Sequence, residues 1–108
     1  MREQELKAYR KLCREANDLR QRIKQERNQE IVQSYKAKLS EAEQKRKEIE
    51  QFISEIADPE LRLIFRYRFL DGKRLAAIGT ELSMDRSSVG KKINAYLKLS
   101  PNSHFKRL

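Results

Sequence analysis

Residues 75–97 read LAAIGTELSMDRSSVGKKINAYL, and their types and spacing suit contact with a nucleic-acid groove. Leu75, Ile78 and Leu82 recur at helical spacing, and Val89, Ile93 and Leu97 do the same after the polar break Ser83-Met84-Asp85. The second segment sets Arg86, Ser87, Ser88, Lys91, Lys92 and Asn94 away from its apolar stripe. Two short helices crossing at a tight turn, the second lined with hydrogen-bond donors, make a helix-turn-helix. Arg86 has the fork that bonds guanine bidentately, and Ser87 and Ser88 can bond bases or phosphates. Of Lys91 and Lys92, one is expected at a base edge and the other at a phosphate. Lys73 and Arg74, before the first of the two helices, are expected on the backbone. Asp85 fits the N-cap of the second helix.

Other chemistries lack their parts. Cys13 is the sole cysteine and His104 the sole histidine, so neither a disulfide within the chain nor a four-ligand zinc site of the usual kind is expected. No nucleophile–base pair, acidic metal cluster or phosphate-cradling glycine loop is apparent, so the expectation is a protein that is not an enzyme and needs no cofactor. The charge agrees with a nucleic-acid partner. The 108 residues carry 25 Lys/Arg against 16 Asp/Glu, a formal net charge of +9. Residues 58–108 hold 11 Lys/Arg against 5 Asp/Glu, and residues 1–57 hold 14 against 11, so the excess is larger where the motif lies. No stretch approaches the ~20 apolar residues of a membrane span. The N-terminus MREQELKAYRK does not resemble a signal peptide, and a cytoplasmic protein without membrane contact is expected.

Three regions must position these residues. With 3 Gly and 2 Pro in the whole chain, and many Lys, Arg, Glu and Gln, the fold class is all-α. Residues 1–57 form a helical oligomerisation arm, a hairpin or a coiled coil. One apolar series runs Leu6, Tyr9, Cys13, Ala16, Leu19, Ile23; another runs Ile31, Tyr35, Leu39, Ala42, then Ile49, Ile53, Ile56 beyond a polar interruption at Arg46. The stripe loses phase across Lys24–Glu30, so a hairpin turning near Arg27–Glu30 is preferred over one helix of about 80 Å. Such narrow stripes bury little alone, and a homodimer through paired arms would put two reading helices on a repeated half-site.

Asp58-Pro59-Glu60 marks the next boundary: Asp as N-cap, Pro at the first helical position, Glu at the positive helix start. Residues 58–100 are the helix-turn-helix DNA-binding domain. Its first helix runs to the stop signal Asp71-Gly72, its aromatics facing the core. Further helices cover about Arg74–Leu82 and Arg86–Leu99. Gly90 is read as a close approach to a neighbouring helix. Residues 101–108 are a polar tail.

Residues 58–98, DPELRLIFRYRFLDGKRLAAIGTELSMDRSSVGKKINAYLK, resemble region four of bacterial sigma factors. The matching features are the Arg-rich helix ending in aromatic-Leu-Asp-Gly, then Leu-x-x-Ile, then Leu-Ser-x-Asp-x-Ser-Ser-Val. With the arm and its Leu6-x-x-Tyr9-Arg10-x-Leu12 opening, the layout is similar to phage and prophage transcriptional activators of the RinA/ArpU-like, sigma-like group. The resemblance implies promoter-region DNA binding with RNA polymerase contact. It does not imply independent initiation, because nothing like the promoter-melting sigma region two is present. Gly79 departs from the pattern, which usually has Ala there. Two other readings compete: a small terminase subunit, which joins a helix-turn-helix to oligomerising helices, and a coiled-coil interaction module that binds protein only.

Overall fold

The computed structural model describes residues 1–99, and these form six helices with no strand among them. The tail at 101–108, with His104, lies outside the described residues. A short α1 (Glu3–Lys7) leads through Ala8 into α2 (Tyr9–Gln25). After Glu26–Asn28 the chain reverses into α3 (Gln29–Ser54), which packs along α2. A hairpin is thus formed, its turn at Glu26–Asn28 and so slightly earlier than the expected Arg27–Glu30, since Gln29 and Glu30 already belong to α3. Its turn is set by Asn28, whose side-chain oxygen accepts from the amides of Glu30 and Ile31 at 2.9 and 3.4 Å, an Asn N-cap where the stripe loses phase.

The two stripes face each other. Ala16, Leu19, Val32 and Ala42 are buried in the hairpin. One assignment shifts by a residue: Val32, and not Ile31, points at α2, and Ile31 stays 39% exposed. The interruption at Arg46 is a polar layer across the hairpin. Arg46 Nη1 lies 2.6 Å from Glu43 Oε1, the guanidinium stands 5.8 Å from the Tyr9 ring centroid, and Arg20 reaches the same Glu43 from α2. The Tyr9 hydroxyl donates to Glu50. Burial first, and then this bond to a carboxylate, push the phenol from its ordinary 10 to about 12.

Asp58 caps α4 (Pro59–Phe65), accepting from the Glu60 amide at 3.1 Å, with Pro59 in the first turn. The helix then widens into a π-helical turn over Arg66–Leu70, which carries no sequence signal. It stops at Gly72, whose φ of +73° only glycine adopts without strain. Arg10 of α2 closes over this stop, its Nη1 donating to the Asp71 carbonyl at 2.6 Å. Then come α5 (Leu75–Leu82) and α6 (Arg86–Leu99).

One core joins the base of the hairpin to the last three helices. Leu6, Tyr9, Ile49, Phe52, Ile53 and Ile56 pack with Ile64, Phe65, Phe69, Ile78, Val89, Ile93 and Leu97. Phe65 is fully buried, its ring centroid 5.4 Å from both Phe69 and Tyr96 and 6.4 Å from Phe52. Truncating such a side chain costs about 3–5 kcal/mol. Phe65 of α4 and Phe69 of the π-helical turn are core, as expected, and Tyr67 is half-buried. Their partners, however, come from both sides of Asp58, so the hairpin base is part of the scaffold that holds α5 and α6.

Candidate nucleic-acid interface

α5 and α6 pack against each other across the short connection Ser83-Met84-Asp85. Ile78 and Val89 are fully buried between the helices, and Leu75 and Leu82 are half-buried at the edges. Ser83 takes the left-handed conformation at φ 57°, which turns the chain sharply, and the Met84 amide donates to the Gly79 carbonyl at 2.8 Å. A Cβ at Gly79 would meet the Met84 carbonyl oxygen at 2.4 Å, so the turn folds directly over a position where a methyl group has no room. Gly90 is different: a Cβ there would lie 3.6 Å from Leu75 Cδ1, an ordinary contact, so helix packing does not require glycine. Asp85 stands just before α6, where its carbonyl accepts the first helical bond, from the Val89 amide at 3.1 Å.

The buried stripe of α6 (Val89, Ile93, Leu97) leaves the opposite face to solvent. Ser87, Lys91 and Lys98 are exposed there. From Arg86 to Leu99 the helix has four cations and no carboxylate. Arg86, Ser88 and Lys92 lie on its flank toward α5, where with Ala76, Thr80 and Met84 they line an open groove of about 830 Å³. Lys92 Nζ is 3.7 Å from Glu60 Oε1, an ion pair exposed on both sides, worth little and open to exchange for a phosphate. Asn94 takes the other flank, in a hollow of about 360 Å³ with Met1, Arg2 and Glu3, and does not share the groove.

Arg74 and Lys73 behave differently although adjacent. Arg74 is exposed at the N-cap of α5. Lys73 is drawn back onto the protein, its Nζ 3.0 Å from Glu81 Oε1 and 4.3 Å from the Tyr67 ring centroid. Hydrogen bonding between the two groups holds Lys73 above its ordinary pKa and Glu81 below its own. Arg74 is therefore the freer of the two cations. Sequence reading missed Lys98, seven residues and two turns beyond Lys91, and the exposed pair Ala76 and Thr80 on α5; i,i+7 and i,i+4 spacing was the available signal. Among the described residues no group of His, Cys, Asp and Glu could hold a metal ion, and no helix is long and apolar enough to cross a membrane.

No family model matches this chain, and neither does any curated protein or solved structure at a significant level.

Proposed function

We propose that this chain is a sequence-specific DNA-binding transcriptional regulator that lays α6 in the major groove at promoter DNA. The observation that carries the reading is the solvent face of α6: cations and hydroxyls along about three turns, no carboxylate, and a buried opposite stripe that fixes its orientation. A solvated surface helix ordinarily mixes both signs of charge, whereas a phosphate-facing helix gains from one sign only. The sharp turn at Ser83 supports the same reading, since it brings α5 across α6 and leaves the start of α6 free. Arg86, Ser87, Ser88 and Lys91 are assigned to base edges and nearby phosphates, Arg74, Lys92 and Lys98 to the backbone. Lys73 is assigned a supporting role through Glu81, and Asn94 lies at the margin. The proposal is one of binding, with no catalysis and no cofactor. Its phage or prophage setting and its polymerase contact come from the sigma-like resemblance alone.

Selection of bound sequences from random duplex DNA tests the assignment. Wild type should enrich a defined motif. Arg86→Ala should weaken binding to it by about 1–3 kcal/mol and lose preference at one base pair. An unchanged preference would remove Arg86 from the bases.

A further inference from the structure

The hairpin is electrically lopsided along its length. Its distal half, residues 17–38, holds 6 Lys/Arg against 3 Asp/Glu. The proximal half, residues 1–16 and 39–57, holds 8 against 8, so the arm's whole net charge sits at the far end. Near the base, Lys7 pairs with Glu3, Lys45 with Glu41, and Arg46 with Glu43 and Glu50, and the exposed Lys11, Arg14 and Lys47, which form no ion pair among the described residues, stand among as many acids as bases. In the distal half, Arg20 and Arg22 have carboxylate partners, but Lys24, Arg27, Lys36 and Lys38 are exposed and form no ion pair among the described residues. The local acids offset them only in part: Glu26 accepts from the Asn28 amide, Glu30 sits at the positive start of α3, and residues 17–38 keep a net charge of +3, 6 cations less 3 acids.

The fold holds this cationic end far from α6. The 26 residues of α3 span about 39 Å, its base is locked into the core shared with α6, and the long dimension of the molecule is 52 Å. The hairpin packs along its length, so the end is a stiff projection rather than a tether. Its reach is on the order of ten base pairs, at 3.4 Å each. We infer that the distal hairpin is a second, sequence-independent contact surface for duplex DNA, bearing on phosphates about one helical turn from the segment that α6 reads. The inference rests on the DNA-binding reading above. Duplex DNA is the partner that fits, because four unpaired cations among glutamines and a serine (Gln21, Gln25, Gln29, Gln33, Ser34) suit a phosphate backbone, and Ile31 is the single large exposed hydrophobic residue in the hairpin, too little for an apolar protein seam.

The test compares the full chain with Lys24→Ala/Arg27→Ala/Lys36→Ala/Lys38→Ala on two mixed-sequence duplexes, of about 10 and about 30 base pairs, across a salt series. On the longer duplex the variant should lose at least about ten-fold in affinity, and its log–log salt slope should become shallower by about two to four. On the short duplex, which cannot hold both surfaces, the loss should stay under about three-fold. Replacing the three lysines by arginine should retain wild-type behaviour on both. Equal losses on both duplexes, or no loss on either, would overturn the inference. The separate variant Lys91→Ala/Lys98→Ala judges α6: if it binds as wild type while the hairpin variant fails, the major-groove reading falls and the hairpin remains a DNA surface.

Discussion

The backbone of Met84 passes so close to Gly79 that a single added methyl group would stand 2.4 Å from the Met84 carbonyl oxygen. The glycine that departs from the usual helix-turn-helix pattern is therefore required by this turn. Gly79→Ala should destabilise the chain by about 1–3 kcal/mol, because overpacking against backbone exceeds the ~1 kcal/mol that alanine gains in helix propensity. Gly90→Ala, which meets only Leu75 Cδ1 at 3.6 Å, should stabilise by about 0.5–1 kcal/mol. Thermal unfolding of the two variants should move in opposite directions. A stabilised Gly79→Ala would show that the turn has another way to close.

The polar layer of the hairpin has a signature in alkali. Tyr9 is buried and donates to Glu50, so its phenol ionises at about 12 instead of 10. A raised folded-state value favours the protonated form. The resulting stability is fully present below pH 10 and is lost as pH rises toward about 12. The difference in tyrosinate absorbance between wild type and Tyr9→Phe isolates this group. A midpoint near 10 would mean that Tyr9 is not held in the layer.

Pairing of two arms was expected because narrow apolar stripes need a partner. They find it inside the chain, α2 against α3 and the hairpin base against α4 and α6. Ile31 is the single large exposed hydrophobic side chain of the hairpin, so little fully exposed apolar surface is offered to another copy. Sedimentation of the intact chain at tens of micromolar should accordingly return the monomer mass. A dimer at that concentration would place a self-association seam on this hairpin or elsewhere.

Much of this fold follows from spacing. The hairpin turn, the Asp58-Pro59 helix start and the two helices around Ser83-Met84-Asp85 were all legible, because periodicity and caps are local. What escaped depends on contacts between distant residues. Ile31 and Val32 are neighbours at a helix start, and only the direction of α2 decides which is buried. Lys73 looks as free as Arg74 until Glu81, eight residues on, is seen to hold it. Phe52 fits the spacing of Ile49 and Ile53, but its role follows from Phe65 and Tyr96 arriving from across Asp58. The π-helical turn at Arg66–Leu70 has no local cue at all.

The central claim is that α6 meets DNA phosphates and bases, and the salt dependence of binding tests it most directly. Each phosphate neutralised adds a slope of about −0.9 in log affinity against log salt, so Arg74, Arg86, Lys91, Lys92 and Lys98 together predict a slope of about −3 or steeper. Lys91→Ala/Lys98→Ala changes only exposed side chains and should leave stability within about 0.5 kcal/mol. It should reduce the slope by about one to two and weaken binding across sequences. A wild-type slope near zero, or a slope and affinity indifferent to the double substitution, would contradict the account.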